Sequence, residues 1–308
     1  MGNFSVSSQT FVLGTVLSDN VVLAPVTGIM GLAFQSLSVT QSTPFWQELV
    51  NSGALTSPEM GVWLAREGNE ANDVSLPLID GESDTPGGVF TLGGTNSTLF
   101  SGDIEFLNLQ GTPSYWLLQI ETLTAQSQTI SLGSSQLAAI DTGTTLIGGP
   151  TDAVQNFYAT IEGSASAGGG MFTFPCSTTI NATLSFGGTT WSINPSDLNL
   201  GTVSRNSPDC VGGIFDVSLG TNIPPGAQIP SWIVGDVFLK NVYTVFRGTT
   251  SNSGTPAIGF AQLSSTAGGS GTAPGNVGST QSSGGSRTWV PSLLSGLILA
   301  VVSLLALS

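Results

Sequence analysis

The stretch Leu137-Ala138-Ala139-Ile140-Asp141-Thr142-Gly143-Thr144-Thr145 decides how the rest of this 308-residue chain is read. An Asx-type turn would account for the Asp-Thr-Gly triplet taken alone. Its flanks carry more information. The apolar run before Asp141 reads as a buried strand, and Gly143 allows a sharp turn that leaves the carboxyl at a loop apex. Thr142 and Thr144 supply hydroxyls able to hydrogen-bond a carboxylate or nearby backbone. Gly148-Gly149-Pro150 then closes the segment ahead of a helix. A rigid acid lined by hydroxyls is what carboxylate catalysis requires, so Asp141 is the candidate catalytic residue.

Around this stretch, short β-type runs recur between Gly, Pro, Asn and Ser punctuation. They include Phe11-Val12-Leu13, Val21-Val22-Leu23, Val62-Trp63-Leu64, Val89-Phe90-Thr91-Leu92, Ile104-Glu105-Phe106-Leu107, Trp116-Leu117-Leu118, Thr183-Leu184-Ser185-Phe186 and Tyr243-Thr244-Val245-Phe246. With 41 glycines, this spacing predicts a mainly β protein. Two helices are expected. One covers 44–52, with Thr43 as cap, Pro44 in the first turn and Gly53 at the end. The other covers 151–162, with Val154, Phe157, Tyr158 and Ile161 as its apolar stripe and Gly163 ending it. The acidic, irregular segment 67–86 has no apolar period and divides the globular part into 1–66 and 87–263. The Gly/Ser-rich stretch 264–288 reads as a stalk leading to an apolar tail at 289–308.

Composition removes several classes of function. There is no histidine, which excludes Ser-His-Asp and Cys-His catalysis and His-based zinc sites. No metal or cofactor is expected. The 19 acids against 5 bases give a formal charge of −14, and Arg66, Arg205, Lys240, Arg247 and Arg287 are scattered, so nucleic acid is not an expected partner. Such an acidic surface loses self-repulsion as carboxylates protonate, which suits an acidic milieu. Cys176 and Cys210 are too few and too far apart for a zinc knuckle or a Cys-x-x-Cys redox motif, leaving one disulfide or two buried thiols.

Asn3, Asn96 and Asn181 each open an Asn-x-Ser/Thr acceptor for glycosylation in the secretory pathway. The small-residue stretch, the short spacer and the uncharged apolar tail from Trp289 match a glycosylphosphatidylinositol-anchor signal, with a plain tail anchor as the alternative. Either would place the protein at a membrane, at the cell surface or in the secretory pathway. The start, Met1-Gly2-Asn3-Phe4-Ser5-Val6, has no basic, apolar or cleavage region of a secretory signal, and Val6 does not fit myristoylation. An exit signal without an entry signal leads to the expectation that the true N-terminus lies upstream of Met1.

Taken together, these motifs resemble the pepsin-like aspartic peptidases of the fungal type. Residues 139–150 look like the family's second Asp-Thr-Gly motif. Trp232-Ile233-Val234-Gly235-Asp236-Val237-Phe238-Leu239 resembles the hydrophobic-hydrophobic-Gly strand that crosses behind that motif. Ser114-Tyr115-Trp116, Tyr243-Thr244-Val245-Phe246 and Ile258-Gly259-Phe260-Ala261 are similar to other strands of the C-terminal lobe, where Cys176 and Cys210 would form its disulfide. Gly28-Ile29-Met30-Gly31-Leu32-Ala33-Phe34, with Pro44-Phe45-Trp46 and Leu49-Val50, resembles the latter part of the N-terminal lobe.

The resemblance implies a bilobal, mainly β acid-protease fold with a complete C-terminal lobe at 87–263, an interlobe loop at 67–86 and a partial N-terminal lobe at 1–66. It also implies an aspartic endopeptidase that acts on polypeptides through two carboxylates and a water, as a monomer when complete. Asp141 would be one of the pair, with Gly143, Thr144 and Thr145 as substrate-binding positions. No second Asp-Thr-Gly or Asp-Ser-Gly occurs, and Asp19, Asp73, Asp80 and Asp216 lack the strand-turn setting, so the first motif and the flap tyrosine are expected upstream. Two smaller departures are Val26-Thr27 before Gly28 and Arg247 after Phe246, positions where the family commonly has acids. The alternative is a non-catalytic pepsin-like module that binds peptides at the cell surface. A β-sandwich unrelated to proteases is the third reading.

Overall fold

Short apolar runs punctuated by glycine and proline fold into strands through most of the described residues from Glu59 onward. The computed structural model describes residues 3–15, 28–66, 87–133, 135–220, 230–250 and 254–269. Eighteen strands occur among them. The first nine are β1 (Glu59–Leu64), β2 (Gly88–Leu92), β3 (Phe100–Asn108), β4 (Leu117–Gln119), β5 (Thr122–Ala125), β6 (Gln128–Thr129), β7 (Leu137–Ile140), β8 (Ile147–Gly149) and β9 (Ala165–Gly168). Next come β10 (Met171–Pro175), β11 (Ala182–Ser185), β12 (Thr190–Ile193), β13 (Asn199–Thr202), β14 (Asp209–Gly212) and β15 (Ile214–Asp216). The last are β16 (Trp232–Val234), β17 (Val242–Arg247) and β18 (Ala257–Leu263). Four short α-helices accompany them: α1 (Phe45–Asn51), α2 (Thr151–Ala159), α3 (Val217–Gly220) and α4 (Asp236–Leu239).

The strands form four sheets, ordered β2-β1-β17-β18-β3, β13-β14-β10-β9, β12-β11-β5-β6 and β15-β8-β16-β7-β4. The first sheet crosses the segment at 67–86: β1 lies before it in sequence, yet β1 pairs with β2 on one side and β17 on the other. The last sheet positions the site. Strand β16 runs parallel to β7, with Val234 opposite Ile140, and antiparallel to β8. The loop between β7 and β8 therefore straddles the C-terminal end of β16.

Both expected helices form because their apolar stripes meet a core. In α1, Trp46, Leu49 and Val50 are buried, and Gly53, at φ +69°, donates its N–H to the Val50 carbonyl. Thr43 is not the cap. Pro44 occupies that position with no side-chain cap, and its carbonyl accepts the Glu48 N–H. Helix α2 ends at Ala159, short of Glu162, but Val154, Phe157, Tyr158 and Ile161 are all buried. Burying side chains of this size contributes about 1.5–3 kcal/mol each.

One expected strand is absent, and a second apolar stretch forms none. Phe11-Val12-Leu13 has apolar strand composition but no partner strand, and all three side chains are more than 70% exposed. Residues 28–32 form no strand, with Ile29 52% and Met30 41% exposed. A strand needs a neighbour to take up its backbone groups, and no described strand pairs with either segment. Just beyond, the chain docks through aromatic rings. Phe34, Trp46 and Trp116 lie 4.5–5.7 Å apart between centroids, and Trp116 meets Phe246 at 5.2 Å. Their indole N–H groups reach back to the same segment, from Trp116 to the Leu32 carbonyl at 2.8 Å and from Trp46 to the Ala33 carbonyl at 3.1 Å.

The arginine at 247 has a cross-strand explanation. It faces Glu59 in the β1–β17 register, bonds its carboxylate at 2.7 Å and lies over the Phe106 ring at 3.2 Å. Val21-Val22-Leu23, Val26-Thr27, the segment 67–86, most of the stalk and the tail at 289–308 lie outside the described residues. Among those described, no helix is long and apolar enough to cross a membrane.

Candidate active site

Asp141 is the first residue past β7, and its N–H donates to the Val234 carbonyl at 3.0 Å. That bond fixes the point where the chain leaves the sheet. The loop then folds back on its own acid. The Gly143 N–H donates to Asp141 Oδ1 at 2.9 Å, and the Thr144 hydroxyl donates to Oδ2 at 2.6 Å. Each carboxylate oxygen thus has one fixed donor, and the two together hold the plane of the group. Asp141 itself stays half-buried, so the carboxylate remains open to whatever approaches the loop.

The three neighbouring positions divide by exposure. Gly143 is exposed, Thr145 half-buried and Thr144 buried, with the Thr144 hydroxyl committed to Asp141. From behind, three consecutive amides seize three consecutive carbonyls of the loop. The N–H groups of Gly235, Asp236 and Val237 donate to the carbonyls of Leu146, Thr144 and Thr145 at 3.1, 2.8 and 3.0 Å. This approach demands a glycine, because a Cβ at position 235 would collide with the Thr144 carbonyl oxygen. Here the structure corrects the expectation of one strand across 232–239: β16 stops at Val234, and α4 begins at Asp236.

Asp236 is the group that sequence reasoning passed over. It is half-buried, and its Oδ1 is withdrawn from solvent without a hydrogen-bond partner among the described residues. Burial pushes its carboxyl up to about 7, with Lys240 opposing the shift and the Asp141 charge adding to it. Asp216, set aside because it lacks a strand-turn setting, does close a strand. It is buried at the end of β15, and its Oδ1 accepts the Ser218 N–H at 2.8 Å. Asp19, Asp73 and Asp80 lie outside the described residues. No cluster of three or more His, Cys, Asp or Glu side chains able to hold a metal occurs among the described residues.

The remaining sequence-predicted positions lie away from this loop. Cys176 and Cys210 form a disulfide with a Cα–Cα separation of 5.0 Å, tying the end of β10 to β14. Asn3 and Asn181 are exposed, and Asn96 is half-buried at a turn where its Oδ1 accepts from Thr98.

Comparison with known proteins agrees with this geometry. Residues 1–263 match the family model described as "Eukaryotic aspartyl protease". Major aspartyl peptidase 1 of Cryptococcus neoformans var. grubii is 38% identical over 287 residues, which is 90% of this chain and 55% of the relative. An aspartic protease of Phaffia rhodozyma is 34% identical, covering 83% of this chain and 56% of the relative. Pepsin A of Sus scrofa is 28% identical over 82% of this chain and 60% of its own length. The chain therefore spans somewhat over half the length of the curated relatives it matches. With a mainly β fold and an Asp-Thr-Gly loop braced by a Gly-Asp turn, the chain belongs to the eukaryotic aspartyl protease family.

Proposed function

We propose that the protein is an aspartic endopeptidase in which Asp141 is one of two catalytic carboxylates. The observation that carries this reading is the double anchoring of Asp141, whose two oxygens accept from Gly143 and Thr144 at an otherwise open loop apex. Peptide hydrolysis by such a site uses two acids. One takes a proton from water as its oxygen attacks the carbonyl carbon, and the other protonates the carbonyl oxygen; collapse of the adduct then breaks the C–N bond as the amine gains a proton. The 308 residues contain a single Asp-Thr-Gly, so the second acid comes from sequence outside them. Gly143 and Thr145 form the rim that a polypeptide substrate meets, and Thr144 acts on Asp141. A longer form carrying a second Asp-Thr/Ser-Gly should cleave unfolded protein at acid pH and be blocked by pepstatin; absence of cleavage in that form would instead favour a peptide-binding module.

In the same reading, 87–263 is the catalytic lobe, 1–66 contributes part of the other lobe, and 67–86 links them. The disulfide and the acceptors at Asn3, Asn96 and Asn181 suit the secretory pathway. The tail at 289–308 serves as a glycosylphosphatidylinositol signal that brings the enzyme to the cell surface. Release by phosphatidylinositol-specific phospholipase C supports that anchor, and retention indicates a tail anchor.

A further inference from the structure

Behind the loop lies a second acid that peptide hydrolysis does not use. Asp236 opens α4 directly beneath the loop, with its own N–H bonded to the Thr144 carbonyl at 2.8 Å. Its side-chain Oδ1 is buried with no hydrogen-bond donor among the described residues. A protonated carboxyl tolerates such a place, because the neutral group has far less to lose on leaving water than the charged one. An ionised one does not.

Among the described residues, the charges around Asp236 are few. Of the elements packed against α4, β8 and β16 carry no ionisable side chain. Strand β1 carries Glu59, which is engaged by Arg247 of β17 at 2.7 Å. Strand β17 also carries Tyr243, whose hydroxyl accepts the Asn96 N–H at 2.9 Å. Past the end of β1, Arg66 is engaged by Asp197 at 2.7 Å, and both bond Asn241, whose amide also donates to the Val237 carbonyl. The groups left to act on Asp236 are Lys240, at the end of α4, and Asp141, across the loop. The first favours ionisation and the second opposes it, so Asp236 is electrostatically coupled to the catalytic candidate as well as joined to its loop through the backbone.

We propose that Asp236 is a positioning residue for Asp141: protonated, it keeps the loop 141–146 seated on the Gly235-Asp236-Val237 amides, and ionised, it loosens that seat, giving the lobe an upper pH limit. The proposal deepens the peptidase reading and rests on it for the role of Asp141. Its structural part does not depend on activity. As pH rises, the buried carboxyl acquires a charge with no donor at Oδ1 and a like charge at Asp141. The folded state escapes by letting α4 and the loop part, so that water reaches the carboxylate.

The test uses the 308-residue chain labelled with carbon-13 aspartate and titrated between pH 4 and 8, with amide hydrogen exchange at Asp236 and Val237 followed in parallel. The side-chain signal of Asp236 should change near neutrality, well above that of an ordinary aspartate. Asp141→Asn should move its midpoint down, and Lys240→Met should move it up. After correction for intrinsic base catalysis, protection of the two amides should fall about tenfold or more as Asp236 ionises. Asp236→Asn should remove that pH dependence. If the variant does not fold, the titration and exchange of the unsubstituted chain decide. Titration of Asp236 in the ordinary aspartate range, a midpoint unmoved by Asp141→Asn, or protection that does not follow ionisation would each overturn the proposal. Peptidase activity enters none of these readouts, so an inactive longer form would overturn the functional reading and leave this one standing.

Discussion

Thr144 shows how much one hydroxyl can carry. It is buried, it donates to Asp141 Oδ2 at 2.6 Å, and its carbonyl accepts the Asp236 N–H. Thr144→Val keeps the shape and the backbone bond but removes a hydrogen bond to a charged group, with an expected loss of about 1.5–3 kcal/mol in denaturant unfolding. An unchanged unfolding midpoint would show that the hydroxyl does not hold the carboxylate. Asp236 sets the pH dependence at the same scale. Its folded value of about 7 lies above the ordinary aspartate value of 3.8, so the folded state binds more protons between these limits. Stability should therefore decline as pH rises from about 4 to about 7, at no more than ~1.4 kcal/mol per pH unit from this group, and level off above. Chemical unfolding of the parent chain and of Asp236→Asn across this range measures the difference.

The elements separate what sequence can reveal from what it cannot. The Asp141 loop was legible because its signals are local: an apolar run, an acid, a glycine and two threonines in one stretch. Its support was only partly legible. Residues 232–239 were recognised as lying behind the loop, but the break at Gly235 and the carboxyl of Asp236 depend on contacts with Thr144 and Leu146, roughly ninety residues away in sequence. Phe11-Val12-Leu13 fails in the opposite way, since strand composition cannot supply the partner that a strand needs. The docking of residues 32–50 is likewise a tertiary matter, resting on Trp116 between Phe34, Trp46 and Phe246. Trp116→Ala should cost about 3–5 kcal/mol and open residues 28–50 to limited proteolysis. Cleavage there at the parent rate would contradict this packing.

Across the whole molecule, stability is divided between sheets and one covalent tie. The first sheet joins the chain before residue 67 to the chain after residue 86 through β1, between β2 and β17. The disulfide, with its sequence separation of 34, staples β10 to β14 within the later part. Reduction, or Cys176→Ser with Cys210→Ser, should lower stability by about 3–4 kcal/mol under a chain-entropy account. The mainly β class and the order of its motifs were legible in the sequence. The shared sheet was not, because pairing across 67–86 leaves no local mark in either segment.

The central claim is that Asp141 performs chemistry. It is tested most directly by acid-pH cleavage of an unfolded protein by a longer form carrying a second Asp-Thr/Ser-Gly, measured beside its Asp141→Asn variant and the 308-residue chain. The account predicts pepstatin-sensitive cleavage by the longer form alone. The Asn variant should keep the parent fold and lose nearly all activity, and the 308-residue chain should be nearly inactive for want of a second acid. Cleavage that survives Asp141→Asn, or robust pepstatin-sensitive activity from the 308 residues by themselves, would contradict it.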